Sequence, residues 1–446
     1  MIKRLLIANR GEIAVRIIRT CREMGIETVA VYSAADKDSL HTLLADRKVC
    51  IGPPSSAQSY LFPSSIIMAA IHTKCDAVHP GVGFLSENPA FARLVRESGL
   101  LFIGPDPEVI ALLGDKVQAR KTAGRFGLPV TPGTENPVSN LDEARHAART
   151  LGFPIIIKAA AGGGGKGMRV ARAESDLEEN FRVARAESEA NFGDPRVFIE
   201  TYLENPRHVE LQILASSLGT KAGEVAVLGE RDCSVQKNHQ KLIEESPSPG
   251  VSPEMREAMQ TGAIPMFRDL GYSGAGTIEF LVSGDQFYFM EVNARVQVEH
   301  PVSEFITGVD IIREQILACT EGRLEMDPGA VNPSGWAIEC RINALTPGRV
   351  SELRVPGGPG VRFDSFLYTG CTVPPHYDAL VGKLIVYARD RPAGLGKMER
   401  ALQELRIEGI KTNILQQLWI IREPRFRSGL FGTAYYETIA KEAENA

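Results

Sequence analysis

The sequence predicts a multidomain protein of mixed class, with an N-terminal open parallel α/β domain followed by further α/β and α+β regions. Three observations carry this prediction. The 446 residues exceed one ordinary core, because domains average about 150 residues. The chain opens on a strand–helix–strand pattern, and from about residue 197 it turns strand-rich. Between these lies KAAAGGGGKGMRV at 158 to 170, with strand-like residues on both sides of a glycine run.

The opening elements follow from local pattern. RLLIA at 4 to 8 reads as a buried strand, and Gly11 starts a helix in which Ala14, Ile17, Ile18 and Cys21 recur at helical spacing. Gly25 suits its C-terminal cap. ETVAVYS and a strand through Ala77 and Val78 extend the sheet, so residues 1 to about 110 form one parallel domain. Pro129, Pro132, Gly133 and Pro137 mark a boundary, after which helix DEARHAARTLG and strand FPIIIKA lead to the glycine loop. RVFIE, HVELQILA, EVAVLG, GTIEFLV and QFYFMEVN are strands, and DIIREQILACTEG is a helix. EMDPGAVNPSG is a linker. Strands WAIECRINA, GVRFDSF and GKLIVYAR and the helix ERALQELR then make a C-terminal α+β region.

Composition narrows the function classes. A net charge of -5 with 24% charged residues gives no general attraction to nucleic acid or to an anionic membrane. No apolar run reaches the roughly 18 residues of a membrane span. Seven widely spaced cysteines without a CxxC pair argue against a disulfide framework or a zinc site. A cytoplasmic protein is expected.

Gly162, Gly164 and Gly167 formally satisfy GxGxxG, but β-like MRVARA follows where a dinucleotide site needs a helix, and Lys166 is not followed by Ser or Thr as a Walker A loop requires. A strand–loop–strand hairpin remains, whose amides could fold over a polyphosphate with Lys158 beside it. A mobile surface hairpin is the alternative.

GTIEFLV, the turn SGDQ and FYFMEVN suggest a β-hairpin. A loop of about three residues sets Glu279 opposite Glu291, with Asn293 two positions on along the same face. Opposed like charges destabilise a sheet. A divalent cation relieves them, and two carboxylates with an amide oxygen suit Mg²⁺ or Mn²⁺; a solvated outer face is the alternative. Past the hairpin, extended backbone would project Arg295, Gln297 and Glu299 to one side, suited to a small oxyanion and a carboxylate base. RDCSVQKNHQK adds the polar run Arg231, Gln236, His239 and Lys241.

In order along the chain, IANRGEIA, HPGVGFLSEN, KAAAGGGGKGM, ENPRHVE, ERDCSVQKNHQK, EVNARVQVEHPVSE, ECRINA, VPPHYDALVGKLIVY and GIKTN together resemble biotin carboxylase, the ATP-grasp subunit of biotin-dependent carboxylases. The resemblance implies an N-terminal domain over 1–112, an ATP-grasp domain over 113–315 with a mobile lid at about 132–203 that carries the glycine loop, a C-terminal domain over 333–440, and a homodimer. It implies that Lys116, Lys158 and the loop glycines Gly163, Gly164 and Gly165 bind ATP phosphates. Glu200 and Leu203 would meet adenine, and His208, Gln236, His239 and Leu281 would line the nucleotide site. Glu279 and Glu291 would hold the metals. Lys241, Arg295, Gln297 and Val298 would hold bicarbonate, Glu299 would be its general base, and Arg341 would stabilise the biotin enolate.

The implied activity is ATP-dependent carboxylation of biotin through carboxyphosphate, within an acetyl- or acyl-CoA carboxylase. A biotin carboxyl carrier protein and carboxyltransferase subunits are implied partners, since no AMKM-type biotinylation motif is present. The chain departs from the family at Val82, where tyrosine is usual, at Thr201, where lysine is usual, at Pro359, where an aromatic is common, and in RINALTPGRV, which is shorter than the usual segment. At the expected dimer face Arg19, Glu23 and Arg362 match. An ATP-grasp ligase with another acceptor and a catalytically weak regulatory paralogue are the other readings.

Overall fold

The computed structural model describes residues 2–159, 168–217 and 223–444, without the side chains of 191 and 192. Strands run in the order Arg47–Gly52, Glu27–Ser33, Arg4–Ile7, Ala77–His79, Leu101–Phe102, all parallel, as the βαβ pattern predicts. Alternation divides the first strand between two cores. Leu6 faces Val29, Val78 and Phe91, while Leu5 and Ile7 face Ile13 and Ile17 of helix Gly11–Glu23 together with Ile312 and Ile316 of helix Ile311–Thr320. Gly25 follows that first helix at a φ of 72°.

The strand-rich middle and the C-terminal region share one antiparallel sheet of eight strands. Its order is Gln286–Asn293, Ser273–Ser283, Arg207–Ser216, Glu224–Lys237, Gln240–Ser246, Trp336–Asn343, Leu380–Ala388, Val361–Ser365. The linker EMDPGAVNPSG therefore does not separate two sheets, because Gln240–Ser246 pairs directly with Trp336–Asn343. Pattern reading missed Gln240–Ser246, whose charged and apolar residues are nearly all buried and so lack alternation.

A third, smaller unit holds the strands flanking the glycine run. Ile155–Ala159 pairs antiparallel with Met168–Ala171 and with Val197–Thr201, and Ala144, Ala148, Leu177 and Phe181 of two helices pack on Ile157 and Ile199. The predicted hairpin flanks are present; the loop itself, with Gly163, Gly164 and Gly165, lies outside the described residues. Among the described residues no helix is long and apolar enough to cross a membrane.

Candidate active site

The hairpin Ser273–Ser283/Gln286–Asn293 sets Glu279 opposite Glu291 as expected, but by another route. The turn contains two residues, Gly284 and Asp285, and a bulge between Glu279 and Phe280 supplies the register that a three-residue loop would have given. The row continues across the sheet: Glu279 is level with Glu210, and Glu210 with Arg231. Three carboxylates thus stand side by side on neighbouring strands.

Cations and amides from several elements hold this row. The Lys241 ammonium donates to Glu210 at 2.8 Å, Glu279 at 3.2 Å and Glu299 at 2.6 Å. The fully buried Arg231 donates to Glu210 at 2.6 Å. His208 Nε2 meets Glu279 at 2.8 Å, and Gln236 holds its Nδ1 at 2.7 Å. Gln297 and Asn293 donate to the other Glu279 oxygen at 3.1 and 2.9 Å.

The charges order the carboxyl groups. Burial by itself raises Glu279, but Lys241 and His208 overcome it and hold the group well below the usual carboxylate range. Burial and then the neighbouring Glu279 raise Glu291. Burial opposes ionisation of Glu299 too, yet Lys241, Arg341 and Arg231 hold it well below its ordinary value. Lys241 itself is raised well above its ordinary value, since the buried anions outweigh its desolvation.

The segment after the hairpin corrects one expectation. Residues 294 and 295 form a bend and 298 and 299 a turn, so the segment is not one continuous strand, and Glu299 stands immediately before helix His300–Thr307. Convergence is achieved through contacts instead of alternation. Arg295 donates to Asn293 Oδ1 at 2.9 Å and Gln297 Oε1 at 3.2 Å, and its Nε is held by Glu87 of the N-terminal region at 2.7 Å. Glu299 accepts from Lys241 on one oxygen and from Arg341 at 3.0 Å on the other, and Arg341 is braced by Glu244 at 2.5 Å.

Not every expected residue joins this cluster. Lys158 and Arg120 both pair with buried Glu200, Lys158 at 2.5 Å, while Leu203 follows that strand half-buried. Leu281 is level with His208. Lys116 is exposed at the start of helix Lys116–Arg125, and its charge acts on Glu291. His239 is exposed at a turn where Asn238 and His239 both have positive φ, 51° and 62°, joining Glu224–Lys237 to Gln240–Ser246. Two positive φ values in a two-residue loop make a type I′ turn. Glu87, Glu210 and Glu244 escaped the sequence reading; Glu87 and Glu210 fall inside quoted motifs, yet nothing local shows that they meet Arg295 and Lys241.

The donor set fits a hard divalent cation at Glu279 and Glu291. Among the described residues Glu291 has no hydrogen-bond or ion-pair partner, and burial together with the neighbouring Glu279 disfavours its charged form, which a bound cation would relieve. His208, Glu210 and Glu279 also bring ligand atoms within 4.8 Å of one another. Glu210, however, lies on the strand beyond Glu279 from Glu291, and Arg231 and Lys241 hold it. Asn293 turns its amide nitrogen to Glu279 and its oxygen to Arg295, so it orients these side chains.

Comparison with known proteins decides the family. Residues 1–110 match the model of the biotin carboxylase N-terminal domain, 115–326 that of the carbamoyl-phosphate synthase L chain ATP-binding domain, and 339–438 that of the biotin carboxylase C-terminal domain. Biotin carboxylase 1 of Bacillus subtilis is 48% identical across 98% of this chain and 99% of that protein. The chain belongs to the biotin carboxylase family. A crystal structure of the Campylobacter jejuni biotin carboxylase β-γ-ATP complex superposes with a TM-score of 0.93 at 43% identity, covering 98% of this chain and 99% of that one. The biotin carboxylase domain dimer of Hydrogenobacter thermophilus 2-oxoglutarate carboxylase, in complex with MgADP, ADP and bicarbonate, gives 0.92 at 40% identity over 98% of both chains. As a biotin carboxylase the protein is an ATP-dependent ligase.

Two of the altered segments are tied into the fold through their backbone. The Val82 carbonyl accepts from Asn9 Nδ2 at 2.8 Å, which ties IANRGE to the HPGVG loop. In the short RINALTPGRV segment the Leu345 amide donates to the Lys411 carbonyl at 2.7 Å, and Gly348–Arg349 pairs with Thr372–Val373.

Proposed function

We propose that the chain carboxylates biotin borne on a separate carrier protein, using MgATP and bicarbonate, with the site residues in the roles their chemistry suits. The observation that carries this reading is the position of Glu299, one carboxylate held between Lys241 and Arg341 next to Arg295 and Gln297. Bicarbonate would take up Lys241, Arg295, Gln297 and the Val298 backbone. As the Lys241 charge turns to that anion, Glu299 loses the neighbour that most suppresses its basicity and accepts the bicarbonate proton.

The bicarbonate oxygen then attacks the γ-phosphorus of ATP, the bond to the β-phosphate oxygen breaks, and carboxyphosphate and ADP result. Such a transfer depends on placement and charge neutralisation. Lys116 and Lys158 supply fixed positive charge, and Glu200 and Leu203 meet the adenine, with His208, Gln236, His239 and Leu281 around the nucleotide. Mg²⁺ held by Glu279 and Glu291 supplies neutralisation of the phosphate oxygens. Carboxyphosphate releases CO₂, the phosphate removes the ureido proton, Arg341 stabilises the enolate, and N1′ attacks CO₂.

The unit at about 132–203 acts as the lid that keeps water from carboxyphosphate. Exposed Arg19 and Glu23 suit a homodimer face; a biotin carboxyl carrier protein and carboxyltransferase subunits are the partners, and the cytoplasm is the compartment. The test is ADP release from MgATP with and without bicarbonate, adding free biotin or biotinylated carrier. Bicarbonate-dependent turnover stimulated by the acceptor is expected. Turnover indifferent to both would overturn the reading.

A further inference from the structure

The IANRGE motif takes no part in the reaction as described, yet its side chains reach into other parts of the molecule. Arg10 pairs with Asp36 at 2.7 Å and lies 4.1 Å over the Tyr377 ring of the C-terminal region. Glu12, on the first helix, meets the ammonium of Lys383 at 3.2 Å. Lys383 has no exposed side-chain surface, and its ammonium donates to the Val298 carbonyl at 2.7 Å. Val298 directly precedes Glu299.

Lys383 acts electrostatically on buried Glu339, whose oxygens accept no hydrogen bond among the described residues, but its directed contacts are with Glu12 and the Val298 carbonyl. Its register neighbours are Arg341 on one side and Asp364 on the other, and Asp364 is already held by Arg362 at 2.6 Å. Glu304 is likewise held by Arg16 and Arg362. A buried ion pair is weak evidence for stability, because apolar residues of similar volume often replace it at no cost. The ammonium at Lys383 does something an apolar residue cannot: it grips a carbonyl one residue from the Glu299 carboxylate.

We propose that Lys383, backed by Glu12, is a positioning residue that locks the Val298–Glu299 turn and so aims Glu299 and the Val298 backbone at bicarbonate. The proposal deepens the function proposed above and rests on its reading of Val298 and Glu299. Rotation of the peptide between Val298 and Glu299 would move both groups at once, and small displacements of positioned groups have large kinetic cost.

The test uses the full chain carrying Lys383→Met together with Glu12→Gln, which removes both members of the pair, while Arg341 still acts on nearby Glu339. A KM for bicarbonate raised about tenfold is expected, with the KM for MgATP within about twofold. Hydrogen exchange over residues 296–302 should quicken. Glu12→Gln alone keeps Lys383 on the Val298 carbonyl and should leave the bicarbonate KM within about threefold of the parent. A parent-like bicarbonate KM and exchange in the double variant, or an equal shift in Glu12→Gln, overturns the proposal. Should the unmodified chain turn over no ATP with bicarbonate, the proposed function fails by itself, and exchange at 296–302 still decides whether Lys383 holds the turn.

Discussion

Glu279 and Glu291 face each other across a hairpin whose turn is one residue shorter than their pairing requires, and the bulge beside Glu279 makes up the difference. Bulges re-aim side chains next to functional sites. Here the bulge keeps two carboxylates level while Phe280 and Phe287 pack edge-to-face at 5.5 Å just beyond them.

That pairing leads to the first prediction. Glu291→Gln removes the repulsion in the metal-free protein and should leave stability unchanged or raise it by up to about 1 kcal/mol. It should also abolish the Mg²⁺-dependent rise in Tm and lower ATP turnover by about a hundredfold or more. Thermal scans with and without Mg²⁺, paired with ADP release, read both effects. Mg²⁺-dependent stabilisation of parental size in the variant would count against the metal assignment.

A second prediction concerns Glu299. Replacement by Gln keeps the shape between Lys241 and Arg341 but removes the base. The kcat of bicarbonate-dependent turnover should fall about 10²–10⁴-fold, while MgATP binding, measured by calorimetry, stays close to the parent. Retained turnover would move the base elsewhere.

Arg231 supports a third. It is fully buried and donates to Glu210, to Gln212 at 2.6 Å, to Ser303 at 3.0 Å and to Thr277 at 3.2 Å. Arg231→Met leaves Glu210 to compete for Lys241 and should cost about 3–5 kcal/mol in denaturant unfolding, as loss of one partner of a buried pair does. Adding Glu210→Gln should restore part of this. An Arg231→Met variant as stable as the parent would show that Lys241 alone compensates the carboxylate.

The fourth prediction is a pH dependence of stability set by two histidines of the N-terminal region. Burial pushes His41 down to about 4 and His79 down to about 3 from an ordinary 6.5. Below 6.5 the unfolded chain takes up protons that the folded chain refuses until about 4 and 3. Stability is therefore full above 6.5 and declines as pH falls towards those values. Between pH 6.5 and 5 the loss is about 1.6 kcal/mol per histidine. Urea unfolding across this range measures the slope, and His41→Gln should remove one histidine's share of it, since buried His300, also held well below its ordinary value, contributes in the same direction. A flat profile in the parent would mean that these rings are protonated in the folded protein.

Much of the site was legible in the sequence because its logic is local. Alternation and a short turn bring Glu279 and Glu291 to within one residue of each other, and the bulge that completes the pairing has no local signal; the same periodicity yields the parallel N-terminal sheet and the strands flanking the glycine run. The ordered motifs, matched one after another, lead to the family and to Lys241, Glu299 and Arg341.

Other features have no local trace. Lys383 lies 85 residues from Val298 and Arg295 lies 208 from Glu87, so their contacts exist only after the N-terminal domain and the eight-stranded sheet have packed. The turn before Glu299 looks like an alternating strand because Val296 is apolar and buried between polar neighbours, a pattern that a bend packed against the core produces equally well. The sequence by itself determined most of the elements, the family and the types of group the chemistry needs, though not the buried strand Gln240–Ser246. Tertiary structure alone decided which carboxylate each buried cation holds, because desolvated charges are settled by distances between strands and domains that no stretch of neighbouring residues encodes.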